Sequence, residues 1–513
     1  MKLIRLGTWT TISALSACSV FGAGVNSPVA DAAEASNKTV VQALIQKKTD
    51  VNVPQVDGMT ALHWAAHKGN LPLAEMLVKA GANVKAANRY GVTPVSSAAE
   101  NGNGPMMEMF LKVGADANTV MAGGETLLMT ASRTGDVETI KSLLAHGADV
   151  NAKEAFAQQT ALMWAAAEGN AQAVETLLKA GADFKLRDRY GYSPLLFVAR
   201  EGKGDVAAIL VKAGEDPSEV VKPRFRQRSH GIAQASRGIA GISRPGISAL
   251  ALAVSNGHFE VATKLLDLGA NPNAAEHGWA PIHSITWLRK PGSGDNAPAP
   301  EGSGAMTTLE MVKQLVDHGA NINARMTKKD NVGLTILNTR GATAYFLAAR
   351  TADAELMRYL VQLGADPKIP NEDNSTPLMA AAGLGTRSPG EDAGTESEVL
   401  EAIQAALDHG GDINAVDSKG ETAIHGAAYK NLPGAVQFLA DKGAKVEIWN
   451  QKNKQGWTPL WISLGNRFGN FKPAPETEAV LKKLMTAAGV STETDGMSNC
   501  DTHSKEVCKP VSK

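Results

Sequence analysis

Apolar residues recur along this chain in a two-part pattern. A heptad opening on Thr or Ser, often with Pro next, carries mostly apolar and small residues. TALHWAA at Thr60 returns as TALMWAA at Thr160, and looser copies begin at Ser27, Thr93, Thr126, Ser193, Ser248, Ala280, Thr343, Thr376, Thr422 and Thr458. A glycine and then a second apolar stretch of helical period follow, ending in a Gly-Ala turn, as in LPLAEMLVKAGANV (Leu71 to Val84) and VETIKSLLAHGADV (Val137 to Val150). The pattern predicts two short helices per copy. Thr or Ser caps the first, and Pro fits its first turn, where the missing N–H is not needed. Gly81, Gly147, Gly181, Gly269, Gly319 and Gly364 stand where a left-handed residue ends the second. One such pair cannot bury its own apolar faces, so neighbours must stack.

The first six copies start at 27, 60, 93, 126, 160 and 193, a spacing of 33 or 34. In period and motif the chain resembles the ankyrin repeat family from Ser27 almost to its end. The resemblance implies an all-α, curved solenoid of about twelve helix-turn-helix repeats, with hairpin fingers along one edge and loop insertions. It implies that His63, His283 and His425 bond neighbouring backbone, and that Trp64 and Trp164 occupy a packing position. A stacking platform is the other reading of the two tryptophans. Partners would meet the finger residues before each heptad and the two residues after it. Here those include Arg89, Tyr90, Arg189, Tyr190, Tyr192, Trp279 and Trp457 on fingers, with Arg133, Arg200, Trp287 and Tyr429 on inner helices. Tyr, Trp and Arg are enriched at binding hot spots. Solvated turns are the bland alternative for the N-R-Y-G and D-R-Y-G fingers.

The period is interrupted in the second half. Starts are 55 apart after Ser193, 63 after Ala280 and 46 after Thr376. Finger-side inserts fall at about 217 to 247, 325 to 341 and 447 to 456, and helix-to-helix inserts at about 289 to 306, 384 to 397 and 465 to 476. Lys290 to Ala305 reads as a flexible loop from its Gly and Pro content, whereas GLTILNTRGATAYF (Gly333 to Phe346) reads as a lengthened hairpin. The resulting organisation is a leader over 1–25, regular repeats 1 to 6 over 27–216, a basic insert over 217–247, repeats 7 to 12 with insertions over 248–489, and a tail over 490–513.

Composition and charge narrow the function. The formal net charge of -1 gives no general pull toward nucleic acid. The insert PRFRQRSHGIAQASRGIAGISRPG is nonetheless locally basic, with Arg224, Arg226, Arg228, Arg237 and Arg244 and no acid. Its glycines break any amphipathic helix, and it lacks interleaved aromatics, so an acidic partner surface is the favoured target and simple solubility the alternative. Lys2 and Arg5 ahead of a mostly apolar run to Val25 predict export, either to the periplasm or as a membrane-anchored lipoprotein facing it. Leu15 to Cys18 resembles a lipoprotein lipobox, which would lipidate Cys18; a plain signal peptide is the other reading. Cys500 and Cys508 are expected to form a disulfide rather than a zinc site. No cofactor, metal or catalytic motif stands out. The expected function is a monomeric, non-catalytic scaffold for protein partners in the bacterial cell envelope. The alternative is an accessory or inhibitory subunit of an envelope enzyme.

Overall fold

The computed structural model describes residues 27–121, 123–222, 245–290, 300–329, 335–390, 393–467, 469 and 472–493. Cys18, Arg224, Arg226, Arg228, Arg237, Arg244, Cys500 and Cys508 lie outside them. The chain divides into two compact units, Met1–Arg228 and Ser229–Lys513. Among the described residues both are all helical, with no strand and two isolated antiparallel bridges, Val120 to Thr126 and Thr335 to Thr386.

Unit 1 holds six helix pairs: α1 (Pro28–Glu34) with α2 (Lys38–Gln46), α3 (Ala61–His67) with α4 (Leu71–Lys79), α5 (Pro94–Glu100) with α6 (Gly104–Lys112), α7 (Leu127–Thr134) with α8 (Val137–Ala145), α9 (Ala161–Glu168) with α10 (Ala171–Lys179), and α11 (Pro194–Glu201) with α12 (Gly204–Lys212). Each odd-numbered helix packs on the next odd one, which makes an inner row. The heptad's Thr or Ser begins that row as expected: the Thr93 hydroxyl accepts from Ser96 N at 3.2 Å and the Ser193 hydroxyl from Leu196 N at 3.4 Å. Each covers an N–H that the first helical turn leaves unpaired. The second helices α2, α4, α6 and α8 are capped by Asn or Asp, with Asn70 accepting from Leu73 N at 3.1 Å and Asp136 from Thr139 N at 3.3 Å.

Asparagines stitch the repeats together at the finger bases. Asn52 donates to Gly81 O at 3.0 Å and accepts from Asn83 N at 2.7 Å. Asn118 does the same with Gly147 and Asp149 at 3.0 and 2.8 Å. Asn118 follows the Gly-Ala turn at Gly114, and Asn52 follows Lys48-Thr49 at the equivalent place. Each satisfies one donor and one acceptor of the next repeat, fixing the stacking register as well as adding stability.

Unit 2 repeats the plan in α13 (Ala249–Ser255) with α14 (Phe259–Asp267), α15 (Pro281–Arg289) with α16 (Thr308–Asp317), α17 (Ala344–Arg350) with α18 (Ala354–Gln362), α19 (Pro377–Ala381) with α20 (Glu396–Asp408), and α21 (Ala423–Lys430) with α22 (Pro433–Asp441). A one-turn helix α23 (Val446–Trp449) precedes the last pair, α24 (Pro459–Ser463) and α25 (Pro475–Ala487), and buries Trp449. The described parts of the inserts at 325 to 341 and 465 to 476 are packed on other loops. The hairpin expected over Gly333 to Phe346 is not formed by its described part. Thr335 to Leu337 instead lie as a strap on the loop after α19: Ile336 N and the Thr335 hydroxyl each donate to Gly385 O at 2.9 Å. Gly385 is left-handed at φ +80°, and a Cβ there would stand 2.6 Å from Leu337 N. The β-branched run therefore pairs with another loop rather than with itself.

Candidate interaction surface

The fingers of unit 1 are tight turns built by acidic or amide side chains that face inward. Asn88 accepts from the backbone N–H of Tyr90 and Val92, both at 2.9 Å, and Asp188 accepts from Tyr190 and Tyr192 at 2.8 and 2.7 Å. Burial pushes the Asp188 carboxyl up. Neighbouring tips are joined through their backbones, Arg89 N to Asp57 O at 3.0 Å and Arg189 N to Ala157 O at 2.6 Å. Gly58 permits the first of these close approaches, since a Cβ on it would stand 2.8 Å from Arg89 N. The side chains of Arg89, Tyr90, Arg189 and Tyr190 are left standing in solvent, with Tyr90 73% and Tyr190 50% exposed.

Three further exposed apolar residues, which the sequence reading missed, extend this series: Val56 at 60%, Val120 at 62% and Phe156 at 69%. Each lies on its own finger, so five consecutive fingers of unit 1 carry one apiece. Phe156 was hard to find because its turn, KEAFAQQ, lacks the N-R-Y-G form. Its ring lies over the tip of the preceding finger, where a Cβ on the left-handed Gly124 would come within 3.3 Å of it.

The inner helices of unit 1 offer a second set of groups. Arg133 is exposed and stacks over the half-buried Trp164 ring, 5.8 Å from its centroid. Arg200 lies over Phe197 at 4.6 Å and pairs with Glu201 at 2.7 Å. Trp64 is half-buried and donates to Gln55 Oε1 at 2.6 Å.

Four of the expected partner residues are core. Tyr192 is 2%, Trp279 5%, Trp457 6% and Tyr429 1% exposed. The first three directly precede a helix cap, where the chain turns under the finger and the side chain points inward. Tyr429 lies under the fingers of unit 2, donating to Glu421 Oε1 at 2.7 Å while Asn453 donates to both, to the Tyr429 hydroxyl at 3.2 Å and to Glu421 Oε1 at 3.0 Å. Burial pushes both the Glu421 carboxyl and the Tyr429 phenol up. Trp287 is half-buried and stands edge-on to Trp279, with ring centroids 5.3 Å apart.

The heptad histidines are structural. His63 Nδ1 takes the Thr60 N–H at 3.1 Å and Nε2 reaches Val92 O at 3.0 Å; His283 repeats both bonds, to Ala280 and Ala324. Burial holds their pKa values below the ordinary histidine value, and that of His425 at about 4. No group of three or more His, Cys, Asp or Glu among the described residues is placed to hold a metal ion.

Comparison with known proteins agrees with this architecture. The family model described as ankyrin repeats in three copies matches residues 29–121, 83–154, 128–220 and 393–472, and a single-repeat model matches 246–285. The chain is 31% identical over 144 residues to neurogenic locus notch homolog protein 1 of Xenopus tropicalis, which covers 24% of this chain and 6% of that protein. It is 32% identical over 219 residues to the B-cell lymphoma 3 protein homolog of Mus musculus, covering 41% of this chain and 40% of the relative. Against SH3 and multiple ankyrin repeat domains protein 2 of Homo sapiens the identity is 28% over 236 residues, covering 42% of this chain and 11% of the relative. The chain thus spans well under half the length of these relatives. Helix pairs stacked through an inner row, capped fingers and family matches in both units lead to one conclusion: the chain belongs to the ankyrin repeat family.

Proposed function

We propose that this protein is a non-catalytic scaffold that binds protein partners along the finger edge and open inner face of unit 1. The observation that carries the reading is the row of exposed large apolar side chains on five consecutive fingers, flanked by exposed Arg89 and Arg189. Exposed Tyr, Phe and Arg side chains set in one row are the kind of groups that protein partners use. Arg133 and Arg200 extend the surface onto the inner helices, and in sequence Arg224, Arg226 and Arg228 follow soon after the last finger of the unit. The place of action is the bacterial cell envelope. That part rests on Lys2, Arg5, the apolar run to Val25 and the lipobox-like Leu15 to Cys18, with the expected Cys500 to Cys508 disulfide fitting an oxidising compartment.

The test is co-purification from envelope extracts with wild type and with Tyr90, Phe156 and Tyr190 all replaced by Ala. Partners retained by wild type and lost by a folded triple variant support the scaffold reading. Unchanged retention removes this surface from consideration, and a single stoichiometric enzyme among the partners favours the accessory-subunit alternative. Cys18→Ala should release the protein from the membrane fraction; protein that is already soluble and begins beyond Cys18 would end the lipid-anchor idea.

A further inference from the structure

The spacing and charge of the unit 1 fingertips specify what kind of segment fits them. Adjacent inner helices pack directly on one another, so successive fingers are one helix-packing distance apart, about 8–10 Å. One exposed apolar side chain per finger, at Val56, Tyr90, Val120, Phe156 and Tyr190, therefore gives the row an average repeat of roughly 9 Å, with the Phe156 ring leaning toward the finger before it. A β-strand returns to one face every second residue, about 6.7 Å, and would drift out of step within two fingers. An α-helix rises about 5.4 Å per turn, so alternate turns of its apolar face would fall between fingers. A polyproline II segment has three residues per turn at about 3.1 Å each, which is close to 9.3 Å per turn. Every third residue of such a segment lies on one face and in step with the fingers. Aromatic rings that stand out from a rigid support are suited to these pre-extended, Pro-rich chains, whose ordering cost is already low.

Charge narrows the choice further. Near the tips the fingers' own acids are turned inward: Asp188 is 1% exposed, and Glu154, 6% exposed, accepts from the backbone of Phe156 and Gln159. The exposed Asp50, Asp116, Asp149 and Asp183 stand at the finger bases and accept from the backbone two residues on. Asp57 accepts from Met59 N at 2.9 Å, and Glu125 is half-buried. The outward charges beside the tyrosines are Arg89 and Arg189, and among the described residues neither forms an ion pair; Arg189 reaches only Ala155 O at 3.5 Å. We propose that the finger row of unit 1 binds a polyproline II segment of a partner protein, apolar at every third residue and acidic in between, about 13 residues long across the five fingers. The proposal rests on the scaffold reading and adds the partner's conformation and charge.

The probe is a fluorescein-labelled 15-residue peptide of five Leu-Pro-Glu triplets, with binding followed by anisotropy on the full chain. Controls are five Leu-Pro-Lys triplets, a Leu-Glu peptide of period two, and a helical peptide with Leu at heptad spacing. The Leu-Pro-Glu peptide should bind at least tenfold more tightly than each control. Arg89→Glu with Arg189→Glu should reverse the preference between the Glu and Lys peptides, and alanines at Tyr90, Phe156 and Tyr190 should weaken binding at least thirtyfold with circular dichroism unchanged. Equal or tighter binding of the helical or period-two peptide would overturn the proposal, and so would indifference to the charge reversal. A photo-crosslinking amino acid at position 156, used in cells, separates the two levels of failure. Crosslinks to a protein without the period-three preference leave the scaffold standing and remove the polyproline claim, whereas neither crosslinks nor peptide binding removes both.

Discussion

The residue directly after each heptad is Glu34, His67, Glu100, Arg133, Ala167 and Arg200 in unit 1, and not one of these is buried. In unit 2 the same position holds Ser255, Trp287, Arg350, Gly383, Tyr429 and Gly465, and the last four are all buried. Both units share the paired-helix plan, and the difference in burial follows what lies on it. In unit 2 the strap at Thr335 to Leu337 sits on Leu384 and Gly385. The loop after α24 meets the loop after α19, where a Cβ on Gly469 would stand 2.3 Å from Arg387 O. Arg467, 2% exposed, donates to Tyr429 O at 2.7 Å and to Asn431 Oδ1 at 2.6 Å, a cation placed on the carbonyl end of α21. Among the described residues, insertions cover in unit 2 the positions that stand uncovered in unit 1. On the proposed function, the regular half is the one that offers its surface to partners.

Ion pairs within one helix and ion pairs across repeats, both kinds present in each unit, set the largest expected effect; Arg187 with Glu219 is the cross-repeat pair of unit 1, and Lys313 with Asp317 lies within one helix of unit 2. Unit 1 pairs such as Lys141 with Glu138 and Lys179 with Glu175 are exposed and lie within one helix. In unit 2, Arg289 reaches across repeats to Asp353, 2% exposed, at 2.6 Å and to Glu355 at 2.5 Å, and Lys290 reaches Glu398 at 2.7 Å. Removing one partner of a buried pair leaves the other charge uncompensated. Arg289→Ala should destabilise α15 to α18 by about 3–5 kcal/mol, whereas Lys141→Ala should cost no more than about 0.5 kcal/mol. Hydrogen exchange on the full chain resolves the two. Equal effects would mean that a buried cross-repeat pair holds the stack no better than an exposed pair within one helix.

The next test exchanges a single heptad position. Its fifth residue is Trp64 and Trp164 in unit 1 but Gly426 in α21, where a Cβ would stand 2.7 Å from Leu384 N and 3.1 Å from Met379 O. Gly→Ala inside a helix ordinarily gains about 0.5–1 kcal/mol. Here the backbone of the neighbouring loop occupies the space, so Gly426→Ala should instead lose about 1–3 kcal/mol. A gain on thermal unfolding would show that the loop moves aside easily and that the cover is loose.

How far the molecule could be read from its sequence follows the same division. Helix starts, caps and the repeat register were legible because Thr, Pro, Gly and His recur at fixed offsets and each has a local backbone role. The burial of Tyr192, Trp279, Trp457 and Tyr429 was not, because it depends on which way a finger turns and on what a distant insert covers. From Tyr192 onward the residue before each heptad is buried, at Ile247, Trp279, Ala342, Ser375, Glu421 and Trp457, whereas Met59, Val92, Glu125 and Gln159 are half-buried. Bulky or polar identities at that position were therefore no guide to exposure.

Glu215 provides a pH-dependent probe confined to unit 1. It stands where the Gly-Ala turn otherwise has Ala82, Ala115, Ala148 or Ala182, is 5% exposed, and accepts from Leu195 N at 3.2 Å. Burial pushes its carboxyl up to about 7. The folded state holds this proton more tightly than the unfolded chain does, so the contribution is present below the unfolded pKa of about 4.5 and is lost as pH rises through about 7. Glu215→Gln should therefore stabilise the α11 to α12 repeat by roughly 1–3 kcal/mol above pH 8 and leave it unchanged near pH 4. Protection factors measured at both pH values in the two units check the sign and the confinement. A stabilisation of the same size at both would mean that the carboxyl does not titrate in this range.

The smallest effect on stability carries the functional side of the comparison. Arg133 lies over the Trp164 ring with its guanidinium in solvent, and an exposed cation–π contact is worth about 0.5–1 kcal/mol. Arg133→Gln should lower the stability of α7 to α10 by no more than that, because the heptad positions beneath it are untouched. Tyr429→Phe is the counterpart in unit 2. It leaves the ring in place but takes the hydroxyl donor from Glu421 and an acceptor from Asn453, and an unsatisfied buried group costs about 1–3 kcal/mol. If unit 1 presents the open face, Arg133→Gln should weaken partner binding by more than its effect on stability, and Tyr429→Phe should alter stability alone. Measured together, the two substitutions separate a residue that serves a partner from one that serves the core at the same position of the motif. The reverse pattern would move the binding face to unit 2.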